Sequence, residues 1–479
     1  MSCWIKRVAS YLITLIFGYN FEQNNLSKNV TTCIFREKFN KKIKPKTLSE
    51  NLTNLTFGYY FNQKIEPNTL PKKLTTLTFG NDFNQKIELN TLPENLTTLT
   101  FGCFFDQKIE PNSLPKNLTI LTFGYYFNQK IDLNTLPENL TSLVFGYCFN
   151  QKIKPNILPE NLTTLTFGTN YNQKIEPNTL PENLTSLTFG WEFNQKIESN
   201  TLSKKLTTLT FGTNYNQKIK PNTLPKNLTT LRFGWFFNQI IEPDTLSENL
   251  TTLTFGFEFN QEIDPNTLPK NLTTLIFGCH YNQKIGPNTL PVNLTTLIFG
   301  HDFNQKIEPN SLPENLSILT FGNNFNQKIN LNNLPINLTT ITFGWNYNQN
   351  IDNILNEVKY INFDWRTCYL PLKKSDIEII NNLPRNFNVK VYVDYNIFDN
   401  TNTKLKWPIH VIDYNESDLL TVKIMWLSSK LEWLFDKIKR SSDIYKKIDK
   451  YFDPIYGDIT VLINTETYEP YLHTKSAYK

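Results

Sequence analysis

The dipeptide Phe-Gly recurs at Phe57-Gly58, Phe79-Gly80, Phe101-Gly102 and onward to Phe343-Gly344, always at a step of 22 residues and without an insertion. A fixed period of this length implies a solenoid, in which each unit packs only on its neighbours. One unit reads Leu74-Thr75-Thr76-Leu77-Thr78-Phe79-Gly80-Asn81-Asp82-Phe83-Asn84-Gln85-Lys86-Ile87-Glu88-Leu89-Asn90-Thr91-Leu92-Pro93-Glu94-Asn95. Residues 76–80 alternate, with Leu77 and Phe79 on one side and Thr76 and Thr78 on the other, which is strand periodicity in residues that suit a pleated surface. Gly80 is read as turning the chain, and Pro93 keeps the far side extended. Leu74, Leu77, Phe79, Phe83, Ile87 and Leu92 make the apolar skeleton. Six buried side chains cannot offset the entropy of ordering a whole unit, so a lone coil does not fold and stacking must supply the rest. Residues 30–51 are a weaker unit with Phe35-Arg36 in place of Phe-Gly, residues 12–29 a shortened one, and residues 355–363 a last echo. The expected fold is therefore mainly β: about 16 coils of 22 residues sharing one parallel sheet, with a seventeenth, degenerate strand.

Two amide columns accompany the skeleton: Asn62-Gln63, Asn84-Gln85, Asn128-Gln129 and their equivalents, interrupted only by Asp106. One amide repeated at one site of a solenoid is expected to satisfy backbone groups at a turn. Phe61-Asn62-Gln63-Lys64-Ile65-Glu66-Pro67, followed by Leu70-Pro71 and Leu74, resembles the signature of the FNIP repeat family, over about residues 12–363. That family is similar to leucine-rich repeats and is found in amoebae and in giant viruses that infect them. The resemblance implies a leucine-rich-repeat-like solenoid and no enzymatic activity. This chain departs from leucine-rich repeats at the Asn: the usual position falls at Tyr60, whereas Asn62 follows an inserted Phe61. Some family members carry an F-box ahead of the repeats, implying a ubiquitin-ligase adaptor. Here the repeats begin by Leu12, too early for one.

Composition narrows the function. The charge is +5, from 48 basic and 43 acidic residues, too mild a balance to predict nucleic-acid binding. No apolar run approaches the length of a membrane span. Six cysteines follow no disulfide framework, which points to a reducing, cytoplasmic setting (host cytoplasm if the protein is viral). Asn-Leu-Thr or Asn-Leu-Ser recurs, as at Asn51 and Asn95, and is read as a turn Asn before a Thr-rich strand, because secretion is not expected. No phosphate loop, zinc spacing or nucleophile elbow is present, and neither a cofactor nor catalysis is predicted.

The unit is monotonous except at the two residues after Phe-Gly. They form a stripe along the strand's exit edge, rich in aromatics at Tyr59, Tyr60, Tyr125, Tyr126, Trp191, Trp235, Phe236 and Trp345. Exposed aromatics anchor protein interfaces, so this stripe is the predicted partner-binding surface. The alternative is a turn that tolerates any residue, with the rings folded back over the Phe61-type core. Cys279, His280, His301 and Asp302 lie on successive coils and are metal-ligand types, but adjacent residues of an extended chain point opposite ways, which argues against a metal site. Outward Thr-x-Thr arrays also resemble ice-binding faces, although Val144, Arg232, Ile276 and Ile298 interrupt them.

The chain is divided into an N-terminal cap at 1–11, the solenoid at 12–363, a capping segment at 364–400 and a small α+β region at 401–479. Strands are expected near 389–393, 409–411 and 420–425, and helices near 428–440 and 443–451. The function predicted is a non-enzymatic, monomeric protein-protein interaction scaffold. The alternative is an adaptor that recruits host machinery through its C-terminal region.

Overall fold

The computed structural model describes residues 14–17, 29–344, 346, 347, 349, 360–363, 419–424, 459–464 and 470–473. The chain divides into two compact units, Met1–Leu294 and Thr295–Lys479.

In the first unit, β1 (Thr14–Phe17) and β2 (Thr32–Phe35) precede strands that recur at the repeat interval, from β3 (Asn54–Thr56) to β13 (Thr274–Ile276). Each strand pairs in parallel with the next. Thr14 faces Thr32, an 18-residue step that confirms the shortened first coil, and Asn54 faces Thr76 at the full step. In the second unit β14 (Thr296–Ile298), β15 (Ile318–Thr320), β16 (Thr340–Phe343) and β17 (Tyr360–Phe363) continue the same parallel pattern. Phe343 faces Phe363, so the last echo of the motif does form a strand. Most strands are three residues long with the middle leucine buried. The remainder of each coil is tight turns, and a single 3-10 turn at Leu331–Asn333 is the sole helical element among the described residues.

The six skeleton positions are all core: Leu74, Leu77, Phe79, Phe83, Ile87 and Leu92 are buried, and so are their equivalents from Val30 to Ile329. The phenylalanines stand in two columns. Phe79 stacks on Phe83 of its own coil at 3.7 Å between ring centroids and on Phe101 of the next coil at 5.7 Å. Tyr171 and Tyr215 occupy the Phe83 position in their coils, fully buried, and burial pushes their phenol pKa values up. Burial likewise pushes the Cys33 thiol up to about 12.

The glycine of Phe-Gly has a different task from the one expected. No described glycine has positive φ, so the turn does not require its conformational freedom. Instead the carbonyl of the preceding coil's glycine lies where a side chain would begin: a Cβ on Gly168 would overlap the Gly146 carbonyl oxygen. The absent side chain sets how closely successive coils approach.

The left-handed residues are asparagines. Asn68, Asn90 and their equivalents through Asn310 have φ of 60–64°, and the two exceptions in type, Asp244 and Lys46, have φ of 61° and 65°. Thr69 N–H donates to the Glu66 carbonyl at 3.2 Å, so Pro67 and Asn68 are the central pair of a turn. Pro then Asn with positive φ at that second position is the pairing of a type II turn.

The C-terminal strands β18 (Leu419–Ile424), β19 (Ile459–Asn464) and β20 (Pro470–His473) form an antiparallel sheet in the order β18-β19-β20. The strand expected near 420–425 is β18. β19 and β20 were not anticipated, although Ile459, Val461 and Ile463 alternate as strand residues do. The expected N-terminal cap, the strands near 389–393 and 409–411 and both C-terminal helices lie outside the described residues.

Gly168→Ala should destabilise the protein by about 3 kcal/mol or more, because neither backbone can move without breaking the register. Gly286, outside the Phe-Gly column, has its nearest neighbour at 3.6 Å from a built Cβ. Gly286→Ala should be neutral or stabilising by up to about 1 kcal/mol. Urea unfolding of both variants checks the contrast. In the same assay, Lys46→Asn should stabilise by about 1 kcal/mol, since a left-handed lysine is strained where asparagine is tolerated.

Candidate functional site

The variable pair sits at the centre of a tight turn. Gly58 carbonyl accepts the Phe61 N–H at 3.1 Å, and Gly80 accepts Phe83 at 3.2 Å. Tyr59-Tyr60 and Asn81-Asp82 are thus the two middle residues of β-turns, held by the glycine before them and the buried aromatic after them. The backbone of the pair also stacks between coils, with Asp82 N–H donating to the Tyr59 carbonyl at 2.9 Å. Main-chain atoms do the holding, so the side chains vary without cost to the coil.

The rings of the stripe do not fold back over the core. Tyr59, Tyr60, Tyr125, Tyr126, Trp191, Trp235 and Phe236 have between 41% and 55% of their surface exposed. Trp345 lies outside the described residues. The exposed rings pack on one another. Tyr125 stacks on Tyr147 at 4.4 Å, Phe104 on Tyr126 at 5.1 Å and Trp235 on Phe257 at 4.0 Å, while Tyr59 meets Tyr60 edge-on at 4.9 Å. Partial burial under these neighbours pushes the Tyr125 phenol up.

Paired residues of one turn can therefore touch, contrary to the expectation for an extended chain. His301 Nδ1 lies 2.8 Å from Asp302 Oδ1, and Asn324 Nδ2 donates to Asp302 Oδ1 at 2.9 Å. Of the four metal-ligand types, Cys279 and His280 belong to the first unit and His301 and Asp302 to the second. His280 Nε2 approaches Glu258 at 3.9 Å. No cluster of three or more such ligands forms among the described residues.

The amide columns interlock. Asn62 Oδ1 accepts the Asn84 N–H at 2.9 Å and the Gln85 side-chain amide at 3.0 Å, and this pattern recurs coil by coil. Only the oxygen of the Asn is needed, which explains Asp106: its Oδ1 accepts Asn128 N–H at 2.8 Å and Gln129 Nε2 at 3.0 Å. The columns are half-buried. Two further ladders went unforeseen. Thr75-type hydroxyls donate to the carbonyl of the same position one coil earlier, as Thr75 does to Thr53 at 3.1 Å. The sequon asparagines donate their side-chain nitrogen across the coil gap, as Asn95 does to the Lys72 carbonyl at 2.9 Å and Asn117 to Glu94 at 3.0 Å. That nitrogen is the atom a glycan would modify.

In the sequence, Glu66-type carboxylates stand two residues from Lys64-type lysines and read as their neutralising neighbours. The main pairs instead cross to the next coil: Lys64–Glu88 at 3.1 Å against Lys64–Glu66 at 3.9 Å, and Lys108–Asp132 at 3.1 Å. The hydrogen bond from Lys42 lowers the Glu66 pKa, and those to Glu88 and Asp132 raise Lys64 and Lys108. These groups are exposed, so the pairs set register and solubility more than stability.

The FNIP Repeat family model matches residues 39–82, 83–126, 105–148, 127–170, 149–192, 171–202, 193–236, 237–280, 281–324 and 325–364. The chain belongs to the FNIP repeat family. Each match begins on the buried aromatic that follows the variable pair, such as Phe39, Phe83 or Tyr171. Among solved structures the chain is similar to CroV588, a giant-virus protein described as a novel circular LRR structure, at 46% identity and a TM-score of 0.67. The likeness covers 75% of this chain and 57% of that one, so this chain spans under two thirds of that protein's length. No curated protein matches.

Asn128→Asp should leave stability nearly unchanged at neutral pH, since Asn128 serves the next coil through Oδ1 alone, at 2.9 Å to Asn150 N–H and 3.2 Å to Gln151. Asn128→Ala should cost about 1–3 kcal/mol, because it leaves the Asn150 N–H without its acceptor. Thermal melts of the two variants side by side check the difference.

Proposed function

We infer that this FNIP-repeat protein is a non-enzymatic interaction scaffold that engages a protein partner along the turn stripe. The observation that carries the reading is the sustained exposure of Tyr59, Tyr60, Tyr125, Tyr126, Trp191, Trp235 and Phe236 on a backbone fixed by ladders. Large aromatic side chains held half in water by a rigid frame are the residues that contribute most to interface affinity. A frame that cannot adjust also limits the entropy lost on association. Membership of a leucine-rich-repeat-like family is consistent with this role. The partner is proposed to be a protein and the scaffold a cytoplasmic monomer. Cys33, Cys103 and Cys148 are free thiols, which suits a reducing compartment.

Replacing Tyr59, Tyr125, Trp191 and Trp235 together by Ser should abolish capture of the partner from amoebal lysate while leaving the circular dichroism spectrum unchanged. Retention of the same partners by this variant would remove the stripe from consideration.

A further inference from the structure

The stripe is not uniformly aromatic. From Tyr147 to Trp235, its first column alternates large and small: Tyr147, Thr169, Trp191, Thr213, Trp235. The two small coils carry the same pair, Thr169-Asn170 and Thr213-Asn214. A two-coil period is thus superimposed on the one-coil period of the frame. Both ends are closed: Tyr147 is backed by Tyr125 at 4.4 Å and Trp235 by Phe257 at 4.0 Å, each nearly parallel to its neighbour. Between these backed walls stands Trp191, the most exposed ring of the set at 55%.

Neighbouring coils lie about 4.8 Å apart, so rings on alternate coils stand roughly 9.6 Å apart. One flat ring between two others needs about 7–8 Å, at ordinary carbon contact distances. The alternation therefore leaves two open slots, each one ring thick, floored by Thr169 and Thr213, with centres again about 9.6 Å apart. An extended strand places same-face side chains about 6.7 Å apart, and an α-helix repeats its face after seven residues at about 10.5 Å. A polyproline II helix repeats every third residue at about 9.3 Å, which is the nearest fit. Its carbonyls are free of internal hydrogen bonds, and the Thr hydroxyls on the slot floors are donors for them. The charge beside the slots selects further. Glu192, exposed and oriented by Asn214 Nδ2 at 2.7 Å, stands next to Trp191. A carboxylate there repels a phosphate backbone and favours a cationic side chain.

We propose that Tyr147, Trp191 and Trp235 form a comb that docks a proline-rich segment of a partner protein, with prolines three residues apart in the two slots and a basic residue against Glu192. This rests on the reading of the stripe as the contact surface, and gives that contact its ligand class.

The test is a tryptophan-fluorescence titration of the full-length protein with synthetic peptides of about twelve residues. One has proline at every third position and an arginine at one end; a second has the same composition with prolines two and four residues apart. The first should bind at least about tenfold more tightly, and Trp191→Ala should lose about as much. Thr169→Phe with Thr213→Phe fills both slots yet keeps every ring of the stripe, and should also weaken binding about tenfold. Glu192→Gln should reduce affinity for the arginine peptide to that of its alanine counterpart. Equal affinity for the two spacings, unchanged binding by the slot-filled variant, or tighter binding of oligothymidylate than of peptide would each overturn the proposal. If the slot-filled variant still captures the lysate partner that the Ser variant loses, the comb fails and the stripe stands.

Discussion

The solenoid depends on how closely two backbones can pass at the Phe-Gly position. From Gly80 onward the preceding coil's glycine carbonyl occupies the space in which a side chain would start, so a residue with a Cβ cannot replace these glycines in register. That approach brings the strands to hydrogen-bonding distance at Leu77-type residues and stacks the phenylalanines of successive coils 5.7 Å apart. It also places each Asn oxygen under the N–H of the coil above. Burial and hydrogen bonding here are both inter-coil properties, so neither exists for a unit in isolation.

Every ladder connects a residue to its own copy or to that copy's neighbour. Thr75 reaches Thr53, Asn84 reaches Asn62, Gln85 reaches Asn62 and Asn95 reaches Lys72. A column of this kind tolerates a substitution only if the new side chain performs the same half of the bond. Asp106 qualifies because the acceptor oxygen is what the next coil needs. The variable pair escapes the rule because main-chain bonds hold its turn whatever side chains it carries. The frame therefore leaves two side chains per coil free to vary, and the proposed contact surface is made of them.

Much of this was legible in the sequence. The period alone gives the solenoid, the strand and all six core positions from Leu74 to Leu92, because burial in a stacked coil repeats with the coil. What the sequence obscured are reasons rather than positions. Gly80 looks like a turn residue, since glycine usually serves a backbone angle, yet the constraint comes from a residue 22 positions earlier. Asn68 went unremarked although Pro67 before it spells the turn. Asn95 read only as a turn residue when it also donates across the coil gap, and Lys64 read as the partner of Glu66 when Glu88 lies closer. In each case the deciding neighbour is one coil away, and linear proximity points to the wrong one. The C-terminal β19 was missed for another reason: without a repeat, six residues of alternating Ile and Val compete with every other short apolar run.

Because full-length coils within each compact unit meet through the same contacts, a joint between two such adjacent coils is interchangeable with another. Deleting or duplicating one 22-residue unit at the level of the gene leaves no mismatched seam, provided the cut respects the reading frame of the repeat. Unequal crossing-over between near-identical copies can then lengthen, shorten or reorder the array in whole coils. Each event rewrites the order of the turn pairs while leaving the core untouched. A lineage holding such an array can vary its exposed turn surface by shuffling copies, without waiting for point mutations to accumulate.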